Sequence, residues 1–78
     1  MEIEHKVQQN KFVGGDGGEE VVLEYVLAGN EVNFTHTFVP TKLRGKGYAE
    51  KIVRRGLAWA QDKNLIITAS CWYVAKFL

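Results

Sequence analysis

Alternating apolar and polar positions dominate the first half of the chain and predict β-strands. Residues 2–8 alternate as a first strand, and residues 11–14 continue it after a turn at Asn10. Residues 20–27 and 31–39 are rich in β-branched and aromatic side chains, as strands are. Because the connections between these segments are short, we expect an antiparallel meander.

Glycine and proline mark the limits of these strands. The stretch GGDGGEE, residues 14–20, is predicted to be a flexible turn, and Pro40 removes a backbone donor where the last strand of the meander should end. Within 31–39, a period of two predicts that one face carries Val32, Phe34, His36 and Phe38, and that the other carries Asn33, Thr35, Thr37 and Val39.

The apolar period changes after residue 47 and predicts a helix packed on the sheet. Small or apolar side chains recur three and four positions apart at Ala49, Ile52, Val53, Gly56, Leu57 and Ala60. Glycine inside a helix costs about 1 kcal/mol relative to alanine, so Gly56 indicates a close approach between helix and sheet.

A strand, a helix and a second strand follow one another in the second half of the chain. Residues 65–71 form a short apolar run typical of a buried strand. Strand, helix and strand over 31–71 predict a right-handed βαβ unit whose strands are parallel. The predicted fold is therefore mixed α/β: an antiparallel meander, one parallel pair and a helix on the sheet. Residues 72–78 fit either a final helix or an extended segment.

Composition narrows the class of protein. The chain has 78 residues, of which 46% are hydrophobic and 24% charged, which indicates one globular domain over 1–78. No apolar run approaches the roughly 18 residues of a membrane span, and the N-terminus is too polar for a signal peptide. The single cysteine, Cys71, cannot form an internal disulfide. We therefore expect a cytoplasmic protein with no membrane association; the sequence carries no signal for an oligomeric state.

The net charge of +1 conceals an uneven distribution. The first half of the chain is acidic and the second half is basic. Six cations fall within fourteen residues and predict a local anion-binding field: Lys42, Arg44, Lys46, Lys51, Arg54 and Arg55. Nucleic acid is one alternative ligand, but the aromatic residues belong to apolar patterns and are not interleaved with these cations, which argues against it.

The motif RGKGYA, residues 44–49, lies between the last meander strand and the helix. A glycine-rich loop that opens a helix presents backbone N–H groups and the positive end of the helix dipole, and phosphate oxygens suit that arrangement. A plain basic turn is the alternative. The motif matches neither the dinucleotide-binding G-x-G-x-x-G pattern nor the Walker G-x-x-x-x-G-K-[ST] pattern.

Read as R-x-x-G-x-A, with Arg44, Gly47 and Ala49, the motif resembles the acyl-CoA pyrophosphate loop of the GNAT superfamily of N-acetyltransferases. Residues 36–74 are similar to its small single-domain, YjdJ-like branch. The resemblance implies acetyl-CoA as cosubstrate, an amine as acceptor, and parallel strands that splay apart around the thioester. The implied cofactor-binding residues are Phe38, Val39, Arg44, Gly45, Lys46, Gly47, Tyr48 and Ala49. The helices that usually cover the acceptor site have no counterpart here.

Few residues are candidates for the chemistry of acetyl transfer, which needs an acid and a base or a covalent carrier. The resemblance implies that Cys71, in an S-C-x-Y-V setting, carries the acetyl group; a small buried hydrophobic residue is the alternative. His36, in the family's H-T-[FY]-V-P setting, is a candidate general base or activator of Cys71, or else a core histidine. Tyr73 is a weaker candidate acid.

The remaining histidine and the tryptophans have simpler predicted roles. We expect His5 on the surface, and Trp59 and Trp72 over the helix and the core edge; a position beside the acceptor pocket is the alternative for Trp72. Two histidines and one cysteine without ligand spacing predict no metal site. An acetyl-CoA-dependent N-acetyltransferase is the leading functional hypothesis, and a non-catalytic CoA-binding or adaptor module is the alternative.

Overall fold

A computed structural model describes the backbone of residues 1–78 and every side chain except that of Asp16. The chain forms five strands and two α-helices, with two short 3-10 turns at Val7–Gln9 and Thr41–Leu43. The strands are β1 (Glu2–Lys6), β2 (Lys11–Asp16), β3 (Glu19–Ala28), β4 (Glu31–Phe38) and β5 (Ile66–Ala69), and the helices are α1 (Tyr48–Asp62) and α2 (Trp72–Ala75).

The strands form one mixed sheet in the order β1-β2-β3-β4-β5. Neighbours from β1 to β4 are antiparallel, and β4 and β5 are parallel. The predicted meander and the predicted parallel pair, joined through a helix, are both confirmed. The final segment, which the sequence left open, begins as the short helix α2.

The hairpin between β2 and β3 is tighter than predicted. Residues 14–16 belong to β2, and β3 already begins at Glu19, so the connection consists of Gly17 and Gly18 alone. Both have positive φ, 62° and 84°. Two-residue hairpin loops favour this conformation because its twist matches that of the flanking strands. The prediction of a flexible turn over 14–20 is wrong because the strand pairing extends through most of it.

The core lies between one face of the sheet and the apolar side of α1. Its largest fully buried side chains are Phe12, Phe34, Leu23, Ile52, Val21, Val32, Val53 and Val74. A Cβ added at Gly56 would lie 2.6 Å from Leu23 Cδ2 and 3.1 Å from Phe34 Cε1. Helix and sheet therefore approach as closely as the mid-helix glycine predicts.

The opposite face of the sheet is not covered by a helix in the described part of the chain. Both α-helices contribute buried side chains to the one core, α2 through Val74. On the opposite face, Val26 remains 52% exposed and Ile66 58% exposed. The molecule thus has two layers, a helical layer and a sheet. Neither helix is long and apolar enough to cross a membrane, as far as the described residues show.

His5 belongs to an aromatic cluster rather than to the free surface, so that prediction is wrong. Its Nε2 lies 2.7 Å from the hydroxyl of Tyr25, and its ring stacks on Phe12 with centroids 4.0 Å apart. Trp59 meets it edge-on at 4.8 Å. The period of two in β1 turns His5 to the same side as Ile3, toward the core. Burial, and then the charge of Arg55, lower the pKa of His5.

Candidate functional site

A β-bulge in β4 decides which side chains reach the site. In the pairing with β3, Phe34 lies opposite Tyr25 and His36 lies opposite Glu24, so Thr35 is an extra residue. An inserted residue reverses the in-and-out alternation beyond it. His36 is exposed and Phe38 is 46% exposed.

The predicted face is therefore wrong beyond Phe34. Val32 and Phe34 are in the core, whereas His36 and Phe38 turn away from it. The alternation places Thr37 on the core side in their stead. Among the described side chains, Thr37 is the one that hydrogen-bonds to Cys71, with its Oγ1 3.5 Å from the sulfur.

Strands β4 and β5 part at Phe34, immediately before the bulge residue Thr35. They pair only from Glu31 opposite Ile66 to Phe34 opposite Ala69. The N–H groups of Ser70 and Cys71 then both donate to the carbonyl of Phe34, at 3.0 and 3.1 Å, while β4 continues to Phe38. The second half of β4 consequently runs without β5 beside it, and a gap opens between the two parallel strands.

A groove occupies this gap and continues to the start of α1. One part has a volume of about 460 Å³ and is lined by residues 35–39, Arg44, Ala49 and 70–73. A second part of about 220 Å³ adjoins the glycine loop, residues 44–49. The two parts share the lining residues Val39, Arg44, Ala49 and Tyr73. We refer to the two parts together as the groove.

The groove brings together nearly all of the residues singled out from the sequence. Both candidate catalytic residues, Cys71 and His36, line its larger part, together with Phe38 and Val39. The smaller part adds three further candidates from the glycine loop: Gly45, Gly47 and Tyr48. Lys46 belongs to the same loop but is not among the residues that line either part.

Cys71 lies half-buried at the end of the groove that is away from the glycine loop. Partial burial acts to raise the pKa of its thiol. The hydrogen bond with Thr37 and the N–H groups of Val74, Tyr73 and Thr37 act in the opposite direction, and the net effect is a pKa below the ordinary thiol value. Hydrogen bonding thus outweighs burial, and the thiolate form of Cys71 is favoured relative to that of an ordinary cysteine.

The glycine loop has the backbone geometry of an open cradle. Gly45 and Gly47 have φ of 81° and 77°, and a Cβ added at either would meet no atom within 4 Å. Gly47 caps α1, and the first intrahelical bond runs from the Lys51 N–H to the Gly47 carbonyl. The earlier N–H groups of the first turn therefore point out of the helix end. Arg44 Nε donates to the Val39 carbonyl at 3.0 Å and ties the loop to the end of β4.

The basic cluster is narrower than its sequence suggests. Arg54 Nε pairs with Glu50 at 2.8 Å, and the Arg54 guanidinium lies 5.2 Å from the centroid of the Phe77 ring. The guanidinium of Arg55 lies 5.4 Å from the centroid of Phe12, beside His5. Arg55 thus belongs to another part of the surface, whereas Arg54 lies near Tyr73, which is in the wall of the groove. The single field predicted over residues 42–55 is thus divided: Arg55 is separate, Arg54 is paired with Glu50, and Arg44 and Lys46 lie within the glycine loop.

The two aromatic residues that follow Cys71 differ in environment. Trp72 is 73% exposed, so the prediction that it covers the core edge is wrong; it contributes to the wall of the groove. Tyr73 lines both parts of the groove. Burial first, and then the carboxylate of Glu50, raise the pKa of Tyr73, and Arg54 partly offsets them. The Tyr73 phenol therefore keeps its proton at neutral pH.

Thr37 is the contact that sequence reasoning missed. The period of two assigned it to the face opposite His36 and gave it no role. Only the position of the bulge relative to the end of β5 brings its hydroxyl to the Cys71 sulfur. As for metals, no group of three His, Cys, Asp or Glu residues in the described part of the chain could hold an ion.

The family of the chain follows from comparison with known proteins. Residues 9–78 match the family model of the GCN5-related N-acetyltransferases, and the chain belongs to this family. It is 30% identical to protein NATD1 of Bos taurus and of Mus musculus over its whole length, covering 72% and 74% of those proteins. The solution NMR structure of a GCN5-like protein from Staphylococcus aureus is 32% identical and superposes with a TM-score of 0.75, over 97% of this chain and 76% of that one. The predicted GNAT-like fold is thereby confirmed.

Proposed function

We propose that this protein is an acetyl-CoA-dependent N-acetyltransferase in which Cys71 carries the acetyl group to an amine. One observation supports this above the others: a single groove joins the glycine loop to a cysteine whose thiol pKa is lowered. Membership of the GCN5-related family supports acetyl-CoA as the donor and an amine as the acceptor. We also propose that residues 1–78 act as one acetyl-CoA-binding domain.

The glycine loop is the proposed receptor for the diphosphate of CoA. N–H groups at the start of α1, the side chain of Arg44 and the charge of Lys46 supply donors and positive potential. A guanidinium has five N–H donors, so the bond from Arg44 to Val39 leaves others for phosphate oxygens. The open space beside Gly45 and Gly47 allows close approach of the phosphates.

The free edge of β4 is the proposed support for the pantetheine arm. Phe38 and Val39 line the groove between the glycine loop and Cys71, and β5 does not run beside them. Backbone polar groups at an unpaired strand edge accept and donate hydrogen bonds readily. An arm that lay along this edge would deliver its thioester toward Cys71.

The proposed chemistry has two balanced steps. The Cys71 thiolate attacks the acetyl carbonyl carbon, the bond from that carbon to the CoA sulfur breaks, and the phenol of Tyr73 protonates the departing thiolate before regaining a proton from solvent. A neutral amine then attacks the acetyl-cysteine, the bond to Cys71 Sγ breaks, and His36 takes the proton released from the amine. The thiolate of Cys71 is thereby restored.

Intact-mass measurement after incubation with acetyl-CoA tests this proposal. The wild-type chain should gain the mass of one acetyl group, a Cys71→Ala variant should not, and addition of an amine should remove the group. Calorimetry with CoA provides the matched control, since Cys71→Ala should leave the dissociation constant unchanged. CoA binding without acetylation of Cys71 and without product from any amine would contradict the proposal and favour a non-catalytic CoA-binding module.

A further inference from the structure

The oxygen and the nitrogen of the Asn33 carboxamide both hydrogen-bond to Ser70, the residue before Cys71. Asn33 Oδ1 accepts from the Ser70 N–H at 2.9 Å, and Asn33 Nδ2 donates to Ser70 Oγ at 2.8 Å. The strand register places Asn33 opposite Thr68, so the carboxamide reaches two residues further along, just past the end of β5. Two hydrogen bonds to one residue fix the carboxamide orientation and the Ser70 backbone together.

These two hydrogen bonds lie where the chain leaves the sheet after β5. In a regular strand, successive N–H groups point to opposite sides, yet those of Ser70 and Cys71 both donate to the Phe34 carbonyl. The chain must therefore turn between these two residues. The Ser70 N–H is shared between the Phe34 carbonyl and Asn33 Oδ1. Phe34 therefore stabilises the turn from within the sheet, and Asn33 stabilises it from the helix-free face, the face of the sheet that neither described helix covers.

The direction of this turn determines where the Cys71 sulfur lies. Thr37 is fixed on β4 by the bulge, and its hydroxyl reaches the sulfur only while residue 71 leaves the sheet at this angle. We propose that Asn33 is a positioning residue, which acts through Ser70 to hold the Cys71 thiol against Thr37. Its importance for acetyl transfer rests on the function proposed for Cys71, but its effect on the thiol itself does not.

The rate of Cys71 alkylation by iodoacetamide, measured as a function of pH, tests this inference. Cys71 is the one cysteine of the chain, so the reaction reports on a single site. We expect Asn33→Ala to slow alkylation at neutral pH by about two- to fivefold and to move the midpoint of the pH profile upward, because the Cys71 thiol is no longer held against the Thr37 hydroxyl. An Asn33→Ala profile that coincides with the wild-type profile would overturn the inference.

Ser70 provides a second, gentler variant. Ser70→Ala removes the bond to Asn33 Nδ2 and keeps the backbone bond to Asn33 Oδ1, so its profile should lie between those of wild type and Asn33→Ala. Ser70→Thr retains a hydroxyl and should restore the wild-type profile. Should Asn33→Ala fail to fold, the two Ser70 variants still test the proposal. Equal alkylation profiles for Ser70→Ala and Ser70→Thr would contradict it.

Thr68→Val is the matched control. Thr68 Oγ1 bonds across the same strand pair, to the Val32 carbonyl at 3.4 Å, and takes no part in the two hydrogen bonds between Asn33 and Ser70. It should alter stability about as much as Asn33→Ala and leave the alkylation profile unchanged; a shift as large as that of Asn33→Ala would mean that general loosening of β5 causes both. The ionisable groups that share the groove with Cys71 are His36, Arg44, Tyr48 and Tyr73, and all of these variants retain them.

The outcomes for Asn33 and for the proposed function can be told apart. Alkylation requires no acetyl-CoA, whereas the mass measurement requires no shift in thiol reactivity. A wild-type chain that becomes acetylated while Asn33→Ala shows an unchanged profile retains the function and loses the positioning role. A chain that is never acetylated but shows the expected profile shift retains the positioning role and loses the function.

Discussion

At the glycine-loop end of the groove, six consecutive residues supply the backbone, the charge and the start of the helix. At the Cys71 end, by contrast, the hydrogen bonds join residues that are separated by 34 or by 37 positions in the sequence. The first end is local, and its geometry needs only positive φ at two glycines and a helix to follow. The second depends on a bulge, on the length of β5 and on the Asn33 carboxamide together. A change at the first end should affect binding of the donor, and a change at the second should affect reactivity of the thiol.

Removal of the Cys71 thiol should give the largest effect. We expect Cys71→Ala to lower the rate of acetyl transfer by at least about a hundredfold, because the covalent route is lost, with CoA affinity unaltered. Steady-state transfer to an amine and calorimetry with CoA measure the two quantities. Cys71→Ser keeps the size of the side chain without its reactivity and should behave in the same way; a variant of either kind that retains the full rate would exclude the covalent route.

Substitution of Gly47 should weaken donor binding by more than about tenfold and leave thiol reactivity intact. An added side chain both strains a backbone held at φ 77° and enters the space proposed for phosphate. Gly29→Ala is the matched control, because Gly29 also has positive φ and open space around it but lies in the β3–β4 turn. The two alanine variants should lose similar stability. An equal CoA dissociation constant for Gly47→Ala and Gly29→Ala would refute the cradle.

Loss of the Thr37 hydroxyl should give a smaller effect, confined to the thiol. Thr37→Val removes the side-chain hydrogen bond that helps hold the pKa of Cys71 down, so that pKa should rise and alkylation at neutral pH should slow by roughly two- to fivefold. Thr35→Val is the comparison, since its hydroxyl donates to the Glu24 carbonyl instead. If the two variants alkylate at the same rate, Thr37 has no special relation to Cys71.

The smallest expected effect concerns His5, which lies outside the groove. The pKa of His5 is lowered in the folded chain, so the unfolded chain binds its proton more readily. The contribution of His5 to the free energy of unfolding should be fully present above the ordinary pKa of about 6.5, and it should be lost as the pH falls through the lowered pKa of the folded chain. His5→Phe retains the stacking on Phe12 and should flatten this decline in denaturant midpoints. An equally steep decline in the variant would assign it to other groups.

Sequence reasoning succeeded where structure is local and failed where it depends on distant partners. The meander, α1, the glycine loop and the close approach at Gly56 follow from periodicity and from glycine chemistry within short windows. The bulge at Thr35 arises from the pairing of two strands, and no property of Thr35 alone marks it. The face of the sheet on which His36 lies, the contact of Thr37 with Cys71 and the parting of β4 and β5 after Phe34 all follow from how the strands pair.

The division of the basic cluster shows the same limit. Sequence spacing groups Arg54 and Arg55 with the loop cations because they are near in number. The Arg55 side chain instead lies over Phe12, whereas the Arg54 side chain pairs with Glu50 and lies near Phe77 and Tyr73. Helical geometry separates adjacent residues by about 100° around the axis, so neighbouring charges on a helix do not form one patch.

The helix-free face of the sheet has a consequence for any acyl group held on Cys71. In the described part of the chain no second layer covers the His36 side, so the groove opens to solvent there, and under the proposed function water would compete with the acceptor for the acetyl carbonyl. Partition between hydrolysis and aminolysis would then be governed by the concentration and residence time of the amine rather than by exclusion of water. The lifetime of the acyl-enzyme in the absence of any amine measures the rate of this hydrolysis directly.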